Sequence, residues 1–151
     1  RRNVQVGENC EIGPFAHLRS GTVIGNDVKV GDFVEINRSE LADGVRAKHL
    51  AYLGDTKVER GANIGAGAVV ANYDGDKKSP TTIGENAFIG SGSVIVAPGK
   101  IGAGAVVAAG AVVPPGREVR PGTTVLGVPA RERNSQKDLT GDVREDEREI
   151  R

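Results

Sequence analysis

The chain has no methionine and no tryptophan, and only three phenylalanines and two tyrosines among its 151 residues. A core of interlocking aromatic rings is therefore excluded, and small aliphatic side chains must supply the packing. The single cysteine, Cys10, rules out an intrachain disulfide framework and suits a reducing compartment, so the expected location is cytoplasmic. No apolar run reaches the ~18 residues of a membrane span, and the first residues carry no apolar stretch of the signal-peptide kind. Twenty basic residues cancel twenty acidic ones. That balance leaves no global field to recruit nucleic acid or an anionic membrane, and neither is expected as a partner. The Arg-Arg start, with no methionine anywhere, suggests a piece of a longer chain.

What the chain does have is glycine, 22 residues of it, and a strict aliphatic rhythm. Val6, Ile12, Leu18, Ile24, Val30 and Ile36 recur every six residues, and Gly7, Gly13, Gly25 and Gly31 directly follow four of them. The rhythm resumes one residue early at Leu41, Ala47 and Leu53, and early again at Val58, Ile64 and Val70. After a gap it runs through Ile83, Ile89, Ile95, Ile101, Val107, Val113, Val119 and Val125. A period of six matches neither the 3.6 of a helix nor the two of a simple strand. It matches a short strand and a bend, repeated, so that coils stack about 4.8 Å apart and each hides its neighbour's open edge. The expected fold is all-β, a parallel solenoid over 1–129 with β-branched residues turned inward. The pattern of Ile, Val or Leu followed by Gly and four variable residues resembles the hexapeptide-repeat family. That resemblance implies a left-handed parallel β-helix with three hexads to each triangular coil.

The rhythm also absorbs GAGAVV at 65–70 and 102–107, which would otherwise suggest a nucleotide loop, because no helical pattern follows either stretch. Three places break it: five-residue steps from Ile36 to Leu41 and from Leu53 to Val58, and thirteen residues from Val70 to Ile83. The last break holds ANYDGDKKSPTT, whose Asp-Gly and Ser-Pro pairs are turn chemistry, so an extruded loop is expected there. Residues 130–151 read as a short charged C-terminal tail, in which Leu139, Val143 and Ile150 suit one face of a short helix.

Of two histidines, His49 lies in RAKHLAYLGD, between two phases of the repeat. An imidazole is suited to accept a proton at neutral pH without assistance. GPFAHLRSG, RAKHLAYLGD, NIGAGAVVANYDGDKK and AFIGSG follow in that order. Together they resemble the acetyltransferase domain of the bacterial bifunctional glucosamine-1-phosphate acetyltransferase/N-acetylglucosamine-1-phosphate uridyltransferase family, over residues 5–113. The resemblance implies an N-acetyltransferase with acetyl-CoA as cosubstrate and an amino-sugar 1-phosphate, glucosamine 1-phosphate foremost, as acceptor. It further implies a homotrimer with intersubunit active sites. His49 matches the general base that takes the proton from the sugar amine. Arg19 matches a phosphate ligand, Tyr52 and Asn63 match sugar contacts, and Lys78 matches a further cation near the phosphate. Ala66, Asn72, Tyr73, Ser91 and Ala109 match positions lining the acetyl-CoA groove, with the Tyr73 backbone N–H as a donor to the tetrahedral oxyanion. The family's nucleotidyl-transferring half has no counterpart in these residues.

Each residue also has a plainer reading. Arg19 and Lys78 are of the kind that solvated surfaces carry, Tyr52 can pack on an outer face, and Asn63 can satisfy a turn. Ala66 and Ala109 can be small because a corner demands it. Asp55 and Asp74, beside glycines, read as turn stabilisers. Two positions depart from the family. Asn37 stands where it has a lysine that helps hold the sugar phosphate, and strand alternation is expected to turn Arg38 to the opposite face, away from that task. Gly127 stands where it has an arginine that contacts coenzyme A, with Arg131 as a nearby substitute. These departures keep open an acyltransferase acting on a different amino sugar or a nucleotide sugar. From another class, the alternative is a non-catalytic trimerisation or regulatory module of a sugar nucleotidyltransferase. A zinc site of the carbonic-anhydrase kind takes three histidines, and only His17 and His49 are present, so no metal is expected.

Overall fold

Strands of two to four residues alternate with bends throughout residues 3–133, which the structure, a computed structural model, describes. β1 (Gln5–Val6), β2 (Glu11–Ile12) and β3 (His17–Leu18) form the first coil, and β4 (Val23–Ile24), β5 (Lys29–Asp32) and β6 (Glu35–Asn37) the second. β7 (Glu40–Leu41), β8 (Arg46–His49) and β9 (Tyr52–Gly54) form the third, then β10 (Thr56–Val58), β11 (Asn63–Ile64) and β12 (Val69–Ala71) the fourth. The fifth holds β13 (Thr81–Ile83), β14 (Phe88–Ile89) and β15 (Val94–Val96), the sixth β16 (Gly99–Ile101), β17 (Val106–Val107) and β18 (Val112–Val113). β19 (Glu118–Val119) and β20 (Thr124–Leu126) begin a seventh, and β21 (Arg131–Glu132) turns back.

Every third strand pairs in parallel, which makes three sheets: one running from β1 to β19, a second from β2 to β20, and a third from β3 to β18. These are the faces of a triangular parallel β-helix, whose six-residue repeats fit the left-handed winding expected of them. β21 lies beyond the expected limit of the solenoid at 129 and pairs antiparallel with β20. Among the described residues there is no helix, hence none long and apolar enough to cross a membrane. The helical face expected at Leu139, Val143 and Ile150 lies outside the described residues.

The core consists of the rhythm's own residues. Ile36, Leu53, Ile83, Ile89, Ile95 and Ile101 are fully buried, each stacked on its counterpart in neighbouring coils. A standard coil takes eighteen residues, so Gln5 pairs with Val23 and His17 with Glu35. The two five-residue steps shorten the next coils by one: Lys29 pairs with Arg46, and Arg46 with Asn63. Asn63 then pairs with Phe88, the added length being the extruded loop. In that loop Tyr73 bridges Lys78 in antiparallel fashion, and Asp74 Oδ1 accepts the N–H groups of Asp76 (2.9 Å) and Lys77 (2.8 Å). Those two N–H groups also hold the Asp74 carboxyl below its ordinary range.

Corners turn at residues with positive φ. In ordinary hexads that residue comes three after the inward aliphatic, as at Asp27 after Ile24. At the two short steps it comes one earlier, at Arg38 and Asp55, both with φ 49°. The hydroxyl of the next residue folds back onto the tighter turn: Ser39 Oγ donates to Asn37 O (3.0 Å), which also accepts the Asp55 N–H (3.0 Å), and Thr56 Oγ1 donates to Gly54 O (2.9 Å), both hydroxyls buried.

Candidate active site

His49 ends β8, where the second face turns into the third. Its register partner is Asp32, and backbone hydrogen bonds carry the column onward along this corner. The Gly67 N–H donates to His49 O (3.2 Å), that of Gly92 to Ala66 O (2.8 Å), and that of Gly110 to Ser91 O (2.9 Å). Asp32, His49, Ala66, Ser91 and then Ala109 therefore stand in one line. The coils meet closely behind it. A Cβ on Gly65 would come within 2.5 Å of Ser91 N, and one on Gly90 would collide with Ala109 N, so only glycine fits at either position. In front, a Cβ on Gly92 or Gly110 would meet nothing within 4 Å, so this edge is open. His49 is exposed and, with Glu11, Lys29, Asp32 and Lys48, lines a groove of about 220 Å³. Lys29 Nζ lies 2.6 Å from Glu11 Oε1 and holds that carboxyl below its ordinary range.

The opposite edge, where the third face turns into the first, gathers cations. Asn3, Arg19, Ser20, Gly21, Asn37 and Arg38 line a cavity of about 450 Å³. Arg19 Nη1 donates to Glu35 Oε1 (2.7 Å). Arg38 forks onto Asp55, Nε to Oδ1 (2.7 Å) and Nη2 to Oδ2 (2.8 Å), while its Nη1 donates to Asn37 Oδ1 (3.3 Å). Asp55 Oδ2 accepts a third bond from Asn72 Nδ2 (2.5 Å). The Arg38 guanidinium holds the Asp55 carboxyl below its ordinary range against the opposing effect of burial, and Asn72 and the Lys78 charge add to the lowering. Asn72 is buried at the root of the loop, where its carbonyl accepts the Ser79 N–H (2.8 Å).

Arg38 corrects the expectation drawn from strand alternation. It shares one cavity with Asn37 and Arg19, because it turns a corner at φ 49° and does not continue the strand. Asp55 turns a corner too, yet its carboxylate also joins Arg38 to Asn72. Tyr52 stands on the third face between the two edges, with Glu35 and Val69 as register partners. Its hydroxyl reaches the second edge, since a Cβ on Gly54 would lie 2.7 Å from Tyr52 Oη and 2.5 Å from Asn72 Nδ2. Asn63 lies on the second face between Arg46 and Phe88. The loop's antiparallel bridge uses the N–H groups of Asp74 and Ser79, which leaves that of Tyr73 outside it. Gly127 turns a late corner at φ 85°, and Arg131 Nη1 donates to the Ala130 carbonyl (3.2 Å).

One chain thus brings His49 together with Ala66, Ser91 and Ala109, and brings Arg19, Lys78, Asn72 and the tip of Tyr52 to the other edge. It does not join the two groups. A whole side of the coil separates them, six residues of chain as from Ala66 to Asn72, with β12 between. The Arg38–Asp55–Asn72 network was not expected from the sequence. Its signal was the pair of five-residue steps, which stack Arg38 and Asp55 on successive corners of one edge. Among the described residues no group of His, Cys, Asp and Glu is arranged to hold a metal ion.

Residues 3–38 and 80–115 match the family described as bacterial transferase hexapeptide (six repeats). Over 97 residues, 64% of this chain, the sequence is 57% identical to the bifunctional protein GlmU of Pseudoalteromonas atlantica, and the match covers 21% of that protein. The chain spans about a fifth of the length of the curated relatives it matches. The fold is similar to that of PerB from Caulobacter crescentus in complex with CoA and GDP-perosamine. There the TM-score is 0.75 at 26% identity, covering 86% of this chain and 58% of that one. It is also similar to the acetyltransferase domain of PglB from Neisseria gonorrhoeae in complex with acetyl coenzyme A, with a TM-score of 0.72 at 26% identity, covering 85% and 58%.

Proposed function

We propose that this chain, whose residues 3–38 and 80–115 match the bacterial transferase hexapeptide repeats, is an acetyl-CoA-dependent N-acetyltransferase whose acceptor is an amino-sugar 1-phosphate, glucosamine 1-phosphate. Acetyl-CoA supplies an activated thioester carbonyl. His49 takes the proton from the sugar amine as its nitrogen attacks that carbon, the Tyr73 N–H donates to the developing oxyanion, and the C–S bond breaks with its electron pair on sulfur, the thiolate then taking up the proton held by His49 to leave as the thiol. Ala66, Ser91 and Ala109 leave the corner low enough for a long, thin cosubstrate to lie along it. Arg19, with Lys78 from the loop, meets the phosphate, and Tyr52 and Asn63 meet the sugar. PerB and the PglB domain, both solved with CoA or acetyl coenzyme A, support this cosubstrate.

The observation that carries the reading is the division of these residues between two edges of one chain. A complete site forms where the loop edge of one copy meets the His49 edge of another. The faces suit such a ring. Outward positions on the first face include Glu40, Lys57, Lys100 and Glu118; the second carries Glu11, Lys29, Arg46 and Asn63 before Phe88 and Val106, and the third His17 and Glu35 before Tyr52, Val69, Val94 and Val112. The apolar outward positions of the second and third faces thus gather in the later coils, where one face packed on the other around a threefold axis supports a homotrimer. The cosubstrate and the single cysteine, Cys10, support a cytoplasmic location.

The experiment measures coenzyme A thiol released from acetyl-CoA with glucosamine 1-phosphate, galactosamine 1-phosphate or a nucleotide-linked amino sugar, each against an acceptor-free blank. We expect release with glucosamine 1-phosphate. Release with the nucleotide-linked sugar alone would move the acceptor to the class that PerB holds, a reading that Asn37 favours. No release with any acceptor would leave a trimerisation module.

A further inference from the structure

A single carboxylate accepts three hydrogen bonds at the edge opposite His49, two from Arg38 and one from Asn72. None of the residues lining the adjoining 450 Å³ cavity is acidic. Glu35 and Asp55 hold Arg19 and Arg38 by their guanidinium groups but stand outside the lining, so the cavity itself presents cations and amides. The bonds to Asp55 and Asn37 use three of the five guanidinium N–H groups of Arg38, one each on Nε, Nη1 and Nη2. Two donors are left, on the two Nη atoms, and the fork geometry suits a phosphate monoester. Without Asp55 the side chain of Arg38, on an exposed corner, would sample many rotamers, and an anion would have to order it on binding.

We propose that Asp55 is a positioning residue: it fixes Arg38 as the second guanidinium of an anion site in this cavity, and through Asn72 it ties that site to the root of the extruded loop. The inference rests on the sugar-phosphate reading above and deepens it. Arg38 takes up the charge that Asn37 lacks, and Asp55, one coil further on, makes a corner arginine behave as a pre-set fork. Because Asn72 opens the segment that carries Tyr73 and Lys78, the same carboxylate sets the loop and the anion site together.

The test is calorimetric titration of inorganic phosphate and of glucosamine 1-phosphate into the wild type, Arg38→Ala, Asp55→Asn and the double variant, with a thermal melt of each to confirm folding. Each single substitution is expected to weaken sugar-phosphate binding by about tenfold, the scale of one charge-assisted bidentate contact. The double variant should bind as Arg38→Ala does, since Asp55 acts through Arg38. Asp55→Asn binding as well as the wild type, or more tightly, would overturn the proposal, because Asp55 would then only repel the anion. Multiplying effects in the double variant would overturn it too. If Asp55→Asn does not fold, Arg38→Lys decides: it keeps the charge and loses the fork, and unchanged affinity would contradict the proposal. Phosphate binding without acetyl transfer would count against the acetyltransferase reading alone, whereas a wild type that binds neither anion removes the anion site.

Discussion

Asp32 and His49 are register partners at the ends of β5 and β8, so the imidazole stands on a paired strand and not on a loop. On its other side the His49 carbonyl accepts the Gly67 N–H. The main chain that presents the base is thus held from both neighbouring coils. His49→Ala should leave the fold and acetyl-CoA binding intact and lower kcat by about 10²-fold or more, the usual scale of a lost general base. Steady-state kinetics beside a CoA titration checks this; an unchanged kcat would remove His49 from the chemistry.

The strand that carries His49 passes so close to Gly31 that a Cβ there would run into the Lys48 carbonyl. Gly31→Ala is therefore expected to cost about 1–3 kcal/mol by overpacking and to displace the neighbouring base. Stability in urea and kcat should fall together, and a kcat that holds while stability falls would separate the packing at Gly31 from the placement of His49.

Ala109 continues the His49 column at an open edge. Ala109→Trp should fill the proposed groove and raise KM for acetyl-CoA by about tenfold or more, some 1.4 kcal/mol of lost binding. KM for the sugar phosphate should stay within about twofold, since the anion site lies on the other edge. Equal increases in both constants would show that the two substrates do not use separate edges.

Asp55 gives a pH dependence whose direction is fixed. Its folded carboxyl titrates below its unfolded value, near 4, chiefly because Arg38 binds the charged form. The stability it contributes is therefore present above about pH 4 and is lost as pH falls through the lower folded value. The stability difference between the wild type and Asp55→Asn should be level from about pH 5 to 7 and shrink below about pH 4. Unfolding in urea across that range measures it, and a difference that grew on acidification would contradict the Arg38–Asp55 pairing.

The coils, their register and the loop were legible because period six ties every inward Ile, Val or Leu to a corner, and each phase slip marks an irregular turn. Resemblance named His49, Ala66, Ser91 and Ala109, but their common column emerged only from the pairing of the coils, since the slips and the loop set them 17, 25 and 18 residues apart. Arg38 was misjudged for a physical reason. Strand alternation holds only while φ stays extended, and the shortened hexad turns the chain at Arg38 itself. Asp55 read as a turn residue, which it is. Its second task depends on contacts with residues seventeen positions away on either side, and no local pattern records those. The resemblance already implied a site shared between subunits, but which residues fall on which edge was hidden, because that belongs to the cross-section of the coil and not to the order of the residues.

The most direct measurement is mass spectrometry of the acceptor after incubation with acetyl-CoA, in the wild type and in His49→Ala. The account predicts that the wild type converts glucosamine 1-phosphate to a product heavier by one acetyl group on nitrogen, at a rate that His49→Ala largely abolishes. An acceptor that keeps its mass in the presence of folded, acetyl-CoA-binding protein would contradict it.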